Sequence, residues 1–520
     1  MAELSDRPFP PGSYPVVVVG SGPGGLQLSY CLDRLGVDHA LLSADDAAGG
    51  MFRRWPFFQR LLSWTKPFAP VPRTDPAYER YDWNSLLADE PEHRALMPGL
   101  MDGSSYFPSR PEMERNLATF AERTGIAVRY GCRWTGTARE SSQEGERFVL
   151  TTTDGEYRTP VLVVAVGIAE PYKPQTPGIE LAAHYAETRP AETYADKRVF
   201  IIGKQNSGFE LASGLLPWAR RIIVASPSPA KLSVNTRSLV GIRARYVQPF
   251  EDHVLGGGVT VLDASIEAIG RVEGGGLEVR VRATERGESL VFDVDEVIAA
   301  TGFMTPLVDL PELGVATVGQ SRVPAQTPYW ESSSVPGIFF AGTISQGAAG
   351  LRKHGLPANS GAVHGSRYNA RVLARHLARG AGAPGSAPAG TAAPRGPTVA
   401  AAIDPARLVD VLAAAFRATP ELWHQRAYLA RVVTLDPDEG PRDAGIVPLA
   451  AFVDGTGDDG AADAIALTIE ADGSGAIYPV VYGRRGGRLE EHTFEPDILL
   501  RYETPAVRER LERIVRGVAG

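Results

Sequence analysis

The sequence predicts an α/β protein, because one pattern of strand, glycine-rich turn and helix occurs twice. The first copy starts with the β-branched run Val16–Val19, continues through residues 20–25 and ends in a helical pattern of apolar residues. The second copy occupies residues 198–216 in the same order. Two such units, separated by about one domain's length, predict two Rossmann-like dinucleotide-binding domains.

The overall composition points to a small-molecule ligand and a reducing compartment. A net charge of −8 argues against a nucleic acid or an anionic membrane as partner, since both require concentrated positive charge. No apolar run approaches the roughly 18 residues of a membrane span, and residues 1–14 contain Pro and Asp where a signal peptide needs an apolar core. The two cysteines, Cys31 and Cys132, form no local C-x-x-C pair. We expect a cytoplasmic protein, with a homodimer left open.

The first glycine motif has the form of a dinucleotide site. Gly20 allows the tight turn, Gly22 lets the backbone approach a pyrophosphate, and Gly25 lets the helix pack closely on the strand. Backbone N–H groups at the start of the helix would face the phosphates. Ser43 stands where an acidic residue usually binds the ribose hydroxyls, with residues 45–46, both Asp, just beyond. A serine can still hydrogen-bond a hydroxyl, so we retain it as a contact.

The second glycine motif is less regular, because Gln205 replaces its middle glycine. A side chain there crowds the place of a pyrophosphate, so nicotinamide binding could be weakened or displaced. The remaining candidates in this motif are Gly203, Asn206, Ser207, Gly208 and Glu210. Arg221, Lys231 and Arg237 are candidate cations for a 2′-phosphate. A vestigial unit kept for packing is the alternative interpretation.

The two motifs and the composition divide the chain into four parts. We assign residues 1–175 and 295–378 to an FAD-binding domain, and residues 176–294 to an NAD(P)H-binding domain. The segment 379–399 is almost wholly Gly, Ala, Pro, Ser and Thr, which predicts a flexible linker. Residues 400–520 predict a small C-terminal α+β module, helical at both ends, with strands near residues 464–469 and 476–482.

Taken together, these motifs resemble those of the two-dinucleotide-domain flavoproteins that include the flavin-containing and class B monooxygenases. Their shared order is the FAD glycine motif, Gly-Gly at 49–50, Ala-x-Gly with a proline-rich connection, Asn-Ser-Gly-x-Glu, Ala-Thr-Gly at 300–302 and Gly-x-x-Phe-Ala-Gly. A closer resemblance, to the FAD-dependent oxidoreductase domain proteins and their bacterial relatives, rests on residues 81–87, 106–108 and 364–371. It implies a bacterial member acting in specialised metabolism.

The resemblance implies FAD and NADPH, or NADH, as cofactors and a monooxygenase reaction. The nicotinamide would reduce FAD, the reduced flavin would add dioxygen at C4a, and the hydroperoxide would transfer one oxygen atom to a small metabolite. The protein would position the flavin and exclude water. The Phe-x-Gly-x-x-x-His fingerprint of the class B enzymes is absent from the sequence, and Asn-Ser-Gly-x-Glu is present. An amine nitrogen is therefore the favoured target.

The resemblance also carries over individual residues near the flavin. Lys66 matches a lysine often found there, and Thr65 stands where amine-oxidising relatives commonly place an asparagine. Arg352, Lys353 or His354 would lie near the pyrimidine edge, where a cation would stabilise anionic reduced flavin. A solvent-exposed basic loop is the alternative for these three residues. Further FAD contacts are implied at Gly50, Met51, Gly342 and Thr343.

Two alternatives to oxygen insertion remain open at this point. One is a flavin reductase or oxidase, although a thiol reductase needs the paired cysteines that this chain lacks. The other is a non-catalytic FAD-binding adaptor, which Gln205 and the C-terminal module suggest. No metal site is predicted.

Overall fold

The structure is a computed structural model that describes residues 7–54, 60–142, 145–236, 241–253, 259–319, 321–380, 401–455, 463–497, 499 and 501–519. The predicted linker at 379–399 lies almost entirely outside these ranges. Within them, each of the two predicted units has a strand, a turn and a helix in succession, as the α/β prediction requires. No helix of the described residues has both the length and the apolar character that crossing a membrane demands.

The strands of the region before residue 380 are mostly short, and its helices lie between them. In chain order the strands are β1 Gly12–Ser13, β2 Val16–Val19, β3 Ala40–Leu42, β4 Trp134–Ser142, β5 Gly145–Thr152, β6 Gly155–Thr159, β7 Val161–Val164, β8 Glu170–Pro171, β9 Ala183–His184, β10 Arg198–Ile202, β11 Arg221–Ser226, β12 Val259–Arg271, β13 Leu277–Ala283, β14 Ser289–Val294, β15 Glu296–Ala299, β16 Phe303–Met304, β17 Thr317–Val318, β18 Val323–Pro324 and β19 Ile338–Phe340. The helices are α1 Pro23–Arg34, α2 Arg110–Thr124, α3 Asn206–Leu215, α4 Ser233–Thr236, α5 Ala244–His253 and α6 Val363–Ala378.

The first parallel sheet has the strand order β19-β7-β2-β3 and carries the first glycine motif after β2. All residues of β2 are valines less than 5% exposed, as expected of a parallel strand covered on both faces. Helix α1 begins at Pro23, which is favoured at the first helical position because the missing N–H has no partner there. Local sequence therefore fixes the βα unit that forms the first turn.

The second sheet has the order β14-β13-β12-β11-β10-β15-β9, parallel from β9 to β12 and antiparallel beyond. The second glycine motif follows β10, at the same edge of its sheet as in the first unit. Strand β15 pairs with β10, so Glu296–Ala299 belong to this sheet. The predicted boundary at 294 is corrected accordingly, and we propose that the second unit extends to residue 299.

The C-terminal module consists of an antiparallel sheet whose central strands pack against the first and last helices of the module. Its strands are β20 Ala401–Ala402, β21 Leu429–Asp436, β22 Gly440–Pro448, β23 Ala464–Ala471, β24 Ile477–Arg485 and β25 Arg488–Thr493, in the order β20-β22-β21-β23-β24-β25. Its helices are α7 Leu408–Ala418, α8 Pro420–His424, α9 Leu449–Asp454 and α10 Pro505–Ala519. The two predicted strands coincide with β23 and β24.

The module is packed into the first unit, although the sequence predicted it as a separate body. Tyr428 and Leu429, at the start of β21, belong to the same buried apolar cluster as Val16 of β2 and Leu26 of α1. Most of the module's other apolar residues form a cluster of their own around Phe416. The module thus has its own core and shares a second one with the glycine-motif unit.

Candidate active site

A cavity of about 420 Å³ opens at the carboxyl end of the first parallel sheet, which is where open α/β sheets bind ligands. Seven of the eight predicted FAD contacts line it: Gly20, Gly22, Ser43, Gly50, Met51, Gly342 and Thr343. The eighth, Gly25, lies in the first turn of α1, beneath the glycine turn. We call this space the cradle. The structure brings together residues that the sequence leaves far apart.

Packing requires two glycines of the turn, and the third leaves room for a ligand. A Cβ on Gly20, whose φ is +113°, would be 2.5 Å from the Ala165 carbonyl oxygen. A Cβ on Gly25 would be 1.8 Å from the Gly20 carbonyl oxygen. Gly22 is extended, with φ −77°, and no atom lies within 4 Å of an added Cβ. The cradle therefore fits the pyrophosphate of a dinucleotide at Gly22.

Two residues lie at the position predicted for a ribose contact. Ser43 is 1% exposed, its Oγ lies 2.7 Å from Ser21 Oγ, and it accepts the Asp45 N–H at 3.2 Å. Its hydroxyl is thus already engaged inside the protein. Asp45 also lines the cradle, with its carboxylate bonded to Arg54. The acidic group expected at the strand end is therefore present two positions later, at Asp45.

A second cavity, of about 450 Å³, lies between the two units and continues the cradle. Phe52, Thr343 and Val363 line both spaces. The walls of this inter-domain chamber are mainly apolar and include Leu61, Leu62, Tyr185, Phe303, Ala348, Ala349, Pro357 and Ala358. A ligand seated on the first glycine turn can therefore extend into an apolar space enclosed by both units.

Glu210 of the second motif ties the two units together beside the chamber. It is 7% exposed, and its carboxylate accepts from Tyr185 Oη at 2.8 Å, from the Arg60 N–H at 3.1 Å and from Tyr246 Oη at 3.4 Å. Burial raises the pKa of both tyrosines above the ordinary value, which keeps their hydroxyls protonated as donors. Arg60 belongs to the loop of the first unit. Glu210, predicted as a nicotinamide contact, thus also links the units.

Asn84 lines the chamber, whereas Thr65 lies behind it. Thr65 is 0% exposed; its hydroxyl donates to Asp82 Oδ1 at 2.8 Å and accepts from Asn84 Nδ2 at 2.9 Å. Ser63 donates to the Asn84 amide oxygen. Thr65 therefore does not face the chamber, because its hydroxyl is occupied in orienting an asparagine amide. Lys66 is exposed and lines neither cavity.

The basic segment predicted beside the flavin is divided between the chamber and the C-terminal module. Arg352 lines the chamber from an exposed position with φ +48°. Lys353 Nζ lies 3.2 Å from Glu470 Oε2, and His354 Nε2 is hydrogen-bonded to Tyr478 Oη at 2.9 Å. The expectation is corrected for Lys353 and His354, because carboxylate and phenol groups of the module hold them away from the chamber.

With this geometry in view, the chain can be compared with known proteins. A sequence model of the family described as pyridine nucleotide-disulphide oxidoreductase matches residues 17–342. That match covers more than half of the chain and includes both glycine motifs. The chain belongs to this family. The predictions of an α/β fold with two Rossmann-like units, of a flavin-dependent oxidoreductase, and of FAD with a nicotinamide cofactor are confirmed at the level of the family.

Individual relatives agree with the family assignment. FAD-dependent oxidoreductase domain-containing protein 2 of Mus musculus is 27% identical over 388 residues, which cover 69% of this chain and 57% of that protein. The chain thus spans little more than half the length of this relative. Probable indole-3-pyruvate monooxygenase YUCCA1 of Arabidopsis thaliana is 27% identical over 38% of this chain and 44% of that protein. The predicted resemblance to these flavoproteins is confirmed.

A solved structure shows the same fold. The FAD-bound cadaverine monooxygenase DfoA of Erwinia amylovora superposes with a TM-score of 0.54 and 16% identity. The superposition covers 70% of this chain and 94% of that one.

The two cavities contain no cysteine thiol. Cys31 and Cys132, the two cysteines of the chain, are free and buried, and neither lines the cradle or the chamber. Burial raises the pKa of both thiols, so both remain protonated and unreactive. The cysteines of this family member therefore support no disulphide exchange beside the flavin.

The second glycine motif of this oxidoreductase repeats the packing of the first. A Cβ on Gly203, whose φ is +118°, would be 2.4 Å from the Ala300 carbonyl oxygen. A Cβ on Gly208 would be 2.0 Å from the Gly203 carbonyl oxygen. Gln205 is exposed at the N-cap of α3, and Lys204 is 2% exposed, with its Nζ on the Asp263 carboxylate. The turn is intact, and Gln205 is its one departure from the glycine pattern.

The polar residues that follow this turn face the chamber. Asn206 and Ser207 both line it. The Asn206 amide donates to the Gly241 carbonyl oxygen at 3.0 Å and accepts the Arg243 N–H at 3.0 Å, so it also fixes the loop before α5.

The three residues predicted as cations for a 2′-phosphate differ in where they lie. Lys231 is exposed beyond the end of β11, on the ligand side of the sheet. Arg221 begins β11, so it lies at the opposite edge from the glycine turn and cannot reach a 2′-phosphate there. Arg237 lies outside the described residues.

Sequence reasoning missed several residues of the chamber. Asn84 lies in the stretch 81–87, which entered the sequence analysis only as part of a resemblance. Tyr185 and Tyr246 follow no motif, and only the pairing with Glu210 reveals them. Glu210 follows the second glycine turn at the start of a helix, and a glutamate buried there needs hydrogen-bond donors. This position was the signal that could have prompted a search for them.

Proposed function

We propose that this chain is an FAD- and NAD(P)H-dependent monooxygenase that transfers one oxygen atom from dioxygen to a small metabolite. The observation that carries the proposal is the continuity of the cradle with an apolar chamber walled by both dinucleotide units. When bound, FAD would supply the acceptance of a hydride and the activation of dioxygen. We propose that Gly20, Gly22 and Thr343 hold it, with the remaining cradle residues around them.

The residues of the chain position the reacting groups and exclude water from the chamber. Leu61, Leu62 and Phe303 cover the chamber with apolar surface, which disfavours solvent beside a reactive centre. The Asn84 amide, held by Thr65 and Ser63, is a fixed hydrogen-bond group in that wall. We propose that it orients the reacting oxygen, and that it takes the place of the asparagine which amine-oxidising relatives commonly have at the position of Thr65.

The chamber favours an apolar substrate with an uncharged nitrogen. Its acidic wall residue is Glu210, and three donors already occupy that carboxylate. Binding an ammonium group would require displacing those donors, at a cost of roughly 1–3 kcal/mol for each unsatisfied group. We therefore propose a neutral amine on an apolar body, and not a dication such as the cadaverine of the Erwinia enzyme.

Gln205 supports a second candidate, a flavoprotein that does not use a nicotinamide as its reductant. Its side chain extends from the position at which the first motif leaves open space over Gly22. If that side chain blocks the dinucleotide, the flavin would be reduced by the substrate itself, as in an oxidase.

Anaerobic mixing of the FAD-loaded protein with NADPH separates these functions. Bleaching of the flavin absorbance, followed by oxygen consumption with less than one peroxide released per NADPH when an amine is present, is the result expected of a monooxygenase. Bleaching with full peroxide release for every amine tested would favour a reductase or oxidase without oxygen insertion. An unchanged spectrum at millimolar NADPH would reject nicotinamide-dependent catalysis.

A further inference from the structure

A chain of buried hydrogen bonds runs from the C-terminal module to the floor of the cradle. Gln425 Nε2 donates to Asn369 Oδ1 at 2.6 Å, and Asn369 Nδ2 donates to Ser345 Oγ at 3.0 Å. Ser345 Oγ then donates to the Gly342 carbonyl oxygen at 2.7 Å. The three side chains are at most 2% exposed, so no water competes for these bonds. Gly342 itself lines the cradle.

The same glutamine also holds a wall of the inter-domain chamber. Gln425 Nε2 donates to Ser360 Oγ at 3.0 Å, and Asn369 Nδ2 donates to that oxygen at 2.9 Å. Next to it, Asn359 Nδ2 donates to the backbone carbonyl of His424 at 2.6 Å. Ser360 and Asn359 both line the chamber. One end of α8 in the module thus fixes two consecutive wall residues.

A second attachment holds the outer part of the same segment. Lys353 reaches Glu470, whose side chain is 0% exposed and also accepts from Tyr482 Oη at 2.7 Å. A Cβ on Gly350 would be 2.8 Å from the ring of Tyr428, so the segment lies flat against the module. Residues 350–360 are therefore clamped at both ends by the module.

We infer that the C-terminal module is a working part of the catalytic site, and that Gln425 is a positioning residue which fixes the cradle floor and the chamber wall from outside. The inference rests on the proposed function, since it assigns reacting atoms to the chamber. Gln425 touches neither cavity, so it acts only through Asn369, Ser345 and Ser360. A module that closed and opened as a lid would have to expose Tyr428 and Leu429, which are at most 2% exposed.

The test compares two full-length variants that each remove one buried hydrogen-bonding side chain of the module. Gln425→Met keeps the side-chain length and removes the two bonds that Gln425 donates, to Asn369 and to Ser360, so the chain to Gly342 loses its anchor in the module. Thr468→Val is the matched control, because the Thr468 hydroxyl, 0% exposed, donates only to the Leu429 carbonyl within the module, at 2.8 Å. The probe is FAD, titrated into the apoprotein by flavin fluorescence. Peroxide released per NADPH oxidised is measured on each FAD-loaded protein.

Gln425→Met is expected to weaken FAD binding by about tenfold and to raise peroxide release, while Thr468→Val leaves both as in the wild type. Combining Gln425→Met with Ser345→Ala should weaken FAD binding no further than the stronger single change, because both break one chain. Wild-type FAD affinity and peroxide release in Gln425→Met, or equal effects of both single variants, would overturn the inference.

A third variant keeps the inference testable if Gln425→Met does not fold. Glu470→Gln combined with Glu491→Gln preserves the bond from Tyr482 and releases Lys353 from both of its carboxylates, and the double variant is expected to raise peroxide release with a smaller loss of FAD affinity. Peroxide release at the wild-type level would overturn the inference. Failure of the proposed function is distinguishable, since it would show in the wild type as a flavin that NADPH does not bleach, while the FAD titrations remain informative.

Discussion

Gly22 and Gln205 occupy the same position in two copies of one turn, and Gln205 carries a side chain where the first turn leaves open space over Gly22. Both are helix N-caps with extended backbone, φ −77° and ψ −175° at Gly22, φ −106° and ψ −170° at Gln205. Neither needs positive φ, so any residue fits the backbone at either site. The difference therefore concerns ligands and not folding.

Replacing Gly22 by leucine should abolish FAD retention without unfolding the protein. The new side chain would enter the cradle, where no atom lies within 4 Å of its Cβ, and would occupy the path of the pyrophosphate. The measurement is the ratio of flavin to protein absorbance after purification, with circular dichroism to check folding. Gly473→Leu is the control, since that exposed turn glycine is equally unobstructed. A fully yellow Gly22→Leu protein would disprove the placement of the pyrophosphate.

Replacing Gln205 by glycine should tighten NADPH binding several-fold and leave the FAD content unchanged. The substitution restores the open space that the first motif has over Gly22. Gln205→Ala is the control for backbone flexibility, because alanine removes most of the side chain without adding glycine's freedom. The Kd for NADPH can be measured by flavin fluorescence or calorimetry. A weaker Kd in both variants would identify Gln205 as a ligand of the dinucleotide.

The local parts of the fold were predictable from sequence, and the parts that depend on distant pairing were not. Val16–Val19 indicate a strand, and Pro23 indicates the start of a helix within ten residues of it. The first unit could therefore be found without tertiary information. The strand Glu296–Ala299 was assigned to the wrong unit, because its partner β10 lies about 100 positions earlier. Parallel pairing of this kind leaves no local signal.

The residues of the candidate site also fall into two groups, those that local sequence predicts and those whose role depends on distant contacts. A glycine in a motif indicates either a backbone conformation that other residues avoid or a close contact that a side chain would prevent. The structural roles of Gly20 and Gly25 could therefore be predicted from the sequence. Thr65 was placed by analogy, and its true role depends on Asn84, with which it pairs across a loop. The docking of the C-terminal module left no trace in sequence, since Gln425 lies in no motif and meets Asn369 only in the folded chain.

Asn84 and Thr65 should act as one unit in controlling the loss of oxygen as peroxide. Asn84→Ala removes the amide from the chamber wall, and Thr65→Val removes the group that orients it, so both should raise peroxide release per NADPH several-fold. Thr65→Ser keeps the hydroxyl and should behave as the wild type. Peroxide can be measured with a peroxidase-coupled dye. If Lys66→Ala raised peroxide release more than Asn84→Ala, the exposed lysine and not Asn84 would control the loss of oxygen as peroxide.

The protein should lose stability on acidification because of two neutral histidines beside the module. His364 stacks on Trp83 with ring centroids 4.5 Å apart, and His424 lies 5.4 Å from His364. Burial, reinforced by the nearby charge of Arg367, lowers the pKa of His364 to about 3 and the pKa of His424 well below its usual value. Both rings are therefore neutral in the folded protein at any pH near neutrality.

The sign of the effect follows from proton binding. The pKa of each histidine is lower in the folded than in the unfolded chain, and for His364 the unfolded chain therefore binds more protons between pH 6.5 and 3. Stability is then present in full above pH 6.5 and falls as the pH falls. From pH 7 to pH 5, His364 should cost about 2 kcal/mol of unfolding free energy, and His424 acts in the same direction. The measurement is the midpoint of urea unfolding, followed by tryptophan fluorescence at both pH values.

His364→Gln provides the comparison that isolates this contribution, because glutamine cannot take up the proton. Other buried histidines, such as His39, whose pKa burial also lowers, titrate equally in both proteins and cancel. The variant should be less stable than the wild type at pH 7, through lost stacking on Trp83, yet its midpoint should fall less between pH 7 and pH 5. An identical fall in the two proteins would mean that His364 is protonated in the folded state, and that the core between α6 and the module is open to solvent.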